Sequence, residues 1–188
     1  MSLLDIHVLG SPILRQVTIP VEPVTDEHRQ LIDDMFETMY AAEGIGLAAP
    51  QVGRSERIAV IDVREEGSEP FAIINPEIIE SEGSARAEEG CLSMPDLYGD
   101  VDRSTRIVIR ALDRDGNLFQ MEAFDLLARC LQHEIDHLHG RLFIDYLGLL
   151  KRRAVMKKWE KLRKDDRSLV RKITPKEVAR HHHRGEEL

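Results

Sequence analysis

The heptapeptide Gln132-His133-Glu134-Ile135-Asp136-His137-Leu138 constrains this chain more than any other stretch of it. At 100° per residue, His133 and His137 lie about 40° apart around a helix and one turn apart along it. Both imidazoles can therefore reach one metal ion, with Glu134 beside them to handle a proton. Phe124, Leu127, Leu131, Ile135 and Leu138 point roughly 150° away, so one side of the helix anchors in a core and the other is left for a site. The helix is expected to begin near Asp125 as N-cap and run to His139, with Gly140 as its stop. The plainer alternative is a helix carrying two partly exposed polar histidines.

Two histidines hold a catalytic ion poorly, so a third ligand is needed. The extended metallopeptidase pattern places a further His six residues after the second, but that position is Phe143. Glu160 is a poor candidate because Lys157, Lys158, Lys161 and Lys164 surround it. Cys130 is one turn before His133, yet it is about 10.5 Å along the axis from His137, whereas ligands of one tetrahedral ion lie under ~4 Å apart. Cys91 belongs to a separate segment, Glu88-Glu89-Gly90-Cys91-Leu92-Ser93-Met94-Pro95, and can approach from across the site. Gly90 permits close backbone approach there, and Pro95 interrupts pairing a few residues on. By its type alone, Cys91 is equally readable as a small buried hydrophobe.

A third segment, Gly44-Ile45-Gly46-Leu47-Ala48-Ala49-Pro50-Gln51, is dense in small residues that let another backbone lie close, and Gln51 supplies a side-chain amide. A turn entering the next strand explains it equally well. Around these segments, Thr25 caps a helix whose apolar stripe includes Leu31, Ile32, Met35, Phe36 and Met39, stopping near Gly44. Residues 57–63 and 71–79 read as strands, and Thr105–Asp113 with Leu118–Ala123 reads as a hairpin turned at Asp115-Gly116. A last helix covers about 147–165, its apolar side marked by Leu150, Val155, Trp159 and Leu162. The fold class expected is α+β, with mostly antiparallel sheets around a central metal-binding helix, an N-terminal helix and a C-terminal basic helix.

Charge divides this chain of 188 residues, whose net charge is −8. Residues 1–150 hold 12 Arg, no Lys and 28 acids, a balance of −16, while residues 151–172 hold 11 basic and 3 acidic side chains, a balance of +8. A single domain over 1–167 is expected, with 168–188 as a flexible tail. No apolar run is long enough for a membrane span, no basic n-region opens the chain, and two cysteines make no disulfide framework. A cytoplasmic protein that does not engage the membrane is the expectation.

Taken together, the runs at 44–51, 89–93 and 132–138 resemble the three signature motifs of the peptide deformylase family, complete and in order. The likeness extends over roughly residues 3–165. The resemblance implies hydrolytic removal of the N-formyl group from the initiator methionine of nascent peptides, releasing formate. It implies that Cys91, His133 and His137 ligate a divalent ion, Fe²⁺ in the cell, with Zn²⁺, Ni²⁺ or Co²⁺ able to occupy the site. Glu134 would act as general base and then acid, and the Gln51 amide and the Leu92 backbone N–H would stabilise the oxyanion. Ile45 and Gly46 would pair with the substrate backbone in strand fashion, and Gly90 would be a further substrate-binding residue. Leu126, Arg129, Cys130 and His133 would line the methionine pocket, with Glu89 near its entrance and the Arg129 head snorkelling outward.

Some members of the family dock a basic C-terminal helix near the ribosomal exit tunnel, and Lys151–Lys172 resembles that arrangement. A monomer is expected. The competing readings are a zinc endopeptidase, which shares His-Glu-x-x-His, and a ribosome- or RNA-associated module with a vestigial metal site.

Overall fold

The computed structural model describes residues 2–174. An α+β architecture places helix α2 (Asp125–Leu138) against a five-stranded antiparallel sheet. In chain order the elements before α2 are β1 (Ile6–His7), α1 (Asp26–Ala41), β2 (Gly46–Ala48), β3 (Ile58–Ile61), β4 (Phe71–Glu82), β5 (Ala85–Cys91), β6 (Met94–Arg103), β7 (Arg106–Leu112) and β8 (Leu118–Phe124). After α2 come α3 (Leu149–Leu162) and β9 (Val170–Arg171). The large sheet has the order β2-β3-β4-β7-β8, which leaves β2 as an edge strand. β5 pairs with β6, and β1 with β9.

Helix α1 starts where expected. The Thr25 backbone N–H donates to Nδ1 of His28 at 3.0 Å, and Asp26 and Glu27 occupy the first turn, at the positive end of the helix dipole. Leu31, Ile32, Met35 and Met39 are buried against Leu47, Ile58 and Val60 on one face of the sheet. Leu131, Ile135 and Leu138 of α2 pack with Ala59, Ile73, Ile107 and Ile109 on the other. The sheet is thus covered on both faces, and α2 is held by the apolar stripe anticipated for it.

Several elements differ from expectation. β4 continues to Glu82, and the β5–β6 hairpin was not anticipated, because Ala85–Cys91 is largely exposed and carries no alternating apolar pattern. Its pairing breaks in register after Gly90↔Tyr98 and resumes at Cys91↔Met94, which leaves Pro95 in the irregular stretch. Phe124 is half exposed and caps α2 from the end of β8, so Asp125 is the first helical residue. Along α3 only Val155, Met156 and Trp159 pack inward, while Leu150 is 85% and Leu162 49% exposed. Residues 168–174 do not trail away. β9 lies antiparallel on β1 and Ile173 is buried, so only 175–188 of the expected tail lie outside the described residues.

Candidate metal centre

α2 carries its chemistry on the face turned toward the β5–β6 hairpin. Nε2 of His137 lies 3.2 Å from Nε2 of His133 and 3.3 Å from Sγ of Cys91. One donor atom from each of Cys91, His133 and His137 falls within 4.8 Å of the other two. Cys91 arrives at the end of β5, just before the Leu92-Ser93 turn, from the opposite side to the helix. Cys130 is not in this group; it is buried beside the backbone, with Sγ 3.5 Å from the carbonyl oxygen of Ile45. Burial pushes the Cys130 thiol well up, as befits an inert side chain.

The donor set suits a divalent transition-metal ion. His133 directs Nδ1 at Oε2 of Glu89, 3.1 Å away, which leaves Nε2 as the ligand atom facing the cluster. Burial holds the His137 pKa well below its ordinary value, so that imidazole stays neutral as a ligand requires. Among the described residues, its Nδ1 is buried without a hydrogen-bond partner, and so is Oε2 of Glu134. Imidazole and thiolate donors together favour zinc or iron over magnesium or calcium.

Behind the histidines lies a buried ionic lattice that sequence reasoning missed. Arg103 donates to both carboxylate oxygens of Glu89, at 2.9 and 3.1 Å, and to Asp136 at 2.5 Å. Asp136 also accepts from the Tyr146 hydroxyl at 2.8 Å, and Arg129 donates to Glu89 at 2.7 Å. Burial alone would raise the Glu89 carboxyl, but hydrogen bonds from His133 and Arg103 and the Arg103 charge hold it at about 2. Glu89 is an anchor for His133, 6% exposed, and it lines the cleft from this buried position. The Arg129 head turns inward to Glu89 and to the carbonyl oxygens of Val101 and Ala85, so it does not snorkel. The signal for Asp136 was its place inside the motif; Arg103 had none, since the register of β6 alone brings it there.

Glu134 is 4% exposed, and burial lifts its carboxyl to about 7, so both of its protonation states are accessible near neutrality. Gly46 makes room for it: a Cβ at Gly46 would stand 2.4 Å from Oε1 of Glu134. Gln51 is locked by its Oε1, which accepts from the Ala48 N–H at 2.8 Å, and its Nε2 reaches Ser93 Oγ at 3.3 Å and Cys91 Sγ at 3.5 Å. A cleft of about 670 Å³ opens over these groups. Ile45, Gly90, Leu92, Leu126, Arg129 and Cys130 all line it, so the structure gathers the expected substrate residues around one cavity.

The family model described as polypeptide deformylase matches residues 3–153. The chain belongs to this family. A peptide deformylase of Alkalilimnicola ehrlichii is 55% identical over 163 residues, covering 86% of this chain and 92% of the relative. The crystal structure of a peptide deformylase from Legionella pneumophila superposes with a TM-score of 0.82 at 46% identity, covering 86% of this chain and 96% of that one. A peptide deformylase from Synechococcus elongatus in complex with actinonin gives a TM-score of 0.79 at 43% identity, covering 82% of this chain and 86% of that one.

The chain is accordingly an enzyme, a hydrolase that removes the N-formyl group from the initiator N-formylmethionine of nascent polypeptides. Family and Cys/His/His group together support a divalent metal cofactor. Neither the endopeptidase nor the RNA-module reading gains support from these likenesses. Among the described residues, no helix is long and apolar enough to cross a membrane.

Proposed function

We propose that Cys91, His133 and His137 ligate the ion, that this ion is Fe²⁺ in the cell, and that Glu134 moves the proton. The observation that carries this reading is the convergence of one thiol and two imidazoles beside a buried carboxylate. A bound divalent ion supplies Lewis acidity, lowering the pKa of a water and polarising the formyl carbonyl. Glu134 accepts the proton as the nucleophile attacks and returns it to the departing amine, which is otherwise too basic to leave. The Gln51 Nε2–H and the Leu92 backbone N–H donate to the oxygen that gains charge. Glu89, held by Arg103 and Arg129, keeps the His133 ring oriented.

Ile45, just before edge strand β2, and Gly46 at its start pair with the formylated peptide as an added strand, and Gly90 lines the same cleft. The methionine side chain enters beside Leu126, Cys130, His133 and the stem of Arg129. The described residues, β9 and Ile173 included, act as one catalytic domain, as a monomer in the cytoplasm, and the Lys151–Lys172 segment docks on the ribosome.

Anaerobically purified protein should contain close to one metal per chain and release formate from formyl-Met-Ala-Ser, without cleaving unformylated protein. Formate release that persists after the metal is stripped would sink the assignment. Ribosome co-sedimentation should fall with rising salt and on deleting residues 151–188.

A further inference from the structure

The turn that carries Leu92 is held from behind by both ends of the described chain. The Leu9 N–H donates to the Ser93 carbonyl at 2.9 Å, and one residue earlier the Val8 N–H donates to the Leu169 carbonyl at 2.9 Å. β9 extends that contact by pairing with β1, in the register Ile6↔Arg171 and His7↔Val170. Past β9, Ile173 is buried with Ile6, Ala41 and Ala42, and Leu92 packs against this group. Ile173 lies beyond residues 3–153, the part shared with the family.

Leu92 also has neighbours on the substrate side. A Cβ at Gly44 would stand 2.7 Å from Cδ1 of Leu92, so this side chain lies against the backbone that leads into Ile45. Leu92 lines the cleft together with Cys91, Gln51 and Glu134. A backbone N–H cannot turn by itself; its direction follows from where its residue packs. An oxyanion donor works only at hydrogen-bond distance from the oxygen that gains charge, so a small shift of the turn weakens it. Protein interiors are close-packed, and a side chain shortened behind the turn is felt by the residue resting on it.

We infer that Ile173 is a positioning residue for the oxyanion site: by packing on the Leu92 side chain, it holds the Leu92 backbone N–H in its donating position. The inference rests on the reading of Leu92 and Gln51 as the donors to the charged oxygen. The packing group of Ile173 holds Leu92 but neither the metal ligands nor Glu134. Its effect therefore falls on the transition state and not on the binding of ion or peptide. It assigns work to a segment whose sequence reads as a tail.

The test measures kcat per bound metal and KM for formyl-Met-Ala-Ser on the full, metal-loaded chain, well below the melting temperature of each variant. Ile173→Ala should lower kcat about tenfold, part of the ~10²–10³ that losing an oxyanion donor outright costs. KM should stay within about twofold, as for an interaction made only in the transition state. Ile173→Val, which keeps most of the contact, should keep most of kcat. Leu169→Ala trims the same arm where its side chain faces Gly10, and should leave kcat at the wild-type value. An unchanged kcat in Ile173→Ala overturns the inference. So does a loss that Leu169→Ala shares, or one that appears only in KM, since either marks a general loosening of the arm. Gln51→Ala should itself lower kcat about a hundredfold. If it does not, the oxyanion reading falls first and takes the inference with it.

Discussion

Gly46 and Glu134 compete for one space: a methyl group on Gly46 would stand 2.4 Å from Oε1 of Glu134 and 2.9 Å from Sγ of Cys130. The Glu134 side chain is buried, so it has little room to retreat. Gly46→Ala should therefore leave the metal content unchanged and lower kcat by about a hundredfold, the scale on which an ångström of misplacement acts. Single-turnover kinetics and metal analysis on one preparation check this. Near-normal turnover would show that the carboxylate is not where the proton is handled.

Cys91 and Cys130 separate the two routes by which a thiol could serve α2. Cys91 Sγ lies 3.3 Å from Nε2 of His137, whereas Cys130 Sγ contacts the Ile45 carbonyl. Cys91→Ala should lose both metal and activity. Cys130→Ala should keep metal close to one equivalent and lose about 1–3 kcal/mol of stability from truncation of a buried side chain. Metal analysis giving the reverse order would overturn the ligand assignment.

Arg103 carries two carboxylates at once, Glu89 and Asp136, and its side chain is 5% exposed. Removing it strands buried negative charge and frees Glu89 from its grip behind His133. Arg103→Ala should cost about 3–5 kcal/mol in chemical denaturation. Its metal affinity should fall on the order of tenfold to a hundredfold, the usual effect of disturbing a ligand's hydrogen-bond partner. A variant that is destabilised yet binds metal normally would confine Arg103 to a structural role.

How much of this was legible beforehand depended on how local the signal was. The α2 site is written in seven consecutive residues, and its apolar stripe repeats at helical spacing, so both faces of the helix could be read. Cys91 needed the resemblance, because nothing local tells a ligand thiol from a buried one. Arg103 and the β5–β6 hairpin were invisible, since β5 is mostly exposed and a charged residue enters the interior only through long-range register. Arg129 misled for the same reason: its inward turn depends on Glu89, forty positions away. On α3, Leu150 and Leu162 follow a helical period that the tertiary packing does not use.

A brace of Tyr40, Asp62 and Arg64 stands behind the β2 edge. The Tyr40 hydroxyl donates to Asp62 at 2.8 Å, the Asp62 N–H holds the Ile45 carbonyl, and Arg64 spans the Tyr40 ring and the Gly44 carbonyl. Burial and the Asp62 hydrogen bond push the Tyr40 phenol up to about 12. Between the unfolded value near 10 and about 12, the folded state holds a proton that the unfolded state has released. The stability from this group is therefore present below pH ~10 and is lost as the pH rises through its folded value. Tyr40→Phe should lower stability at neutral pH and flatten the alkaline decline in denaturation midpoint. It should also raise KM more than it lowers kcat, because the edge that grips the peptide loosens while Glu134 stays in place. An alkaline decline as steep in the variant as in the wild type would show that other groups produce it.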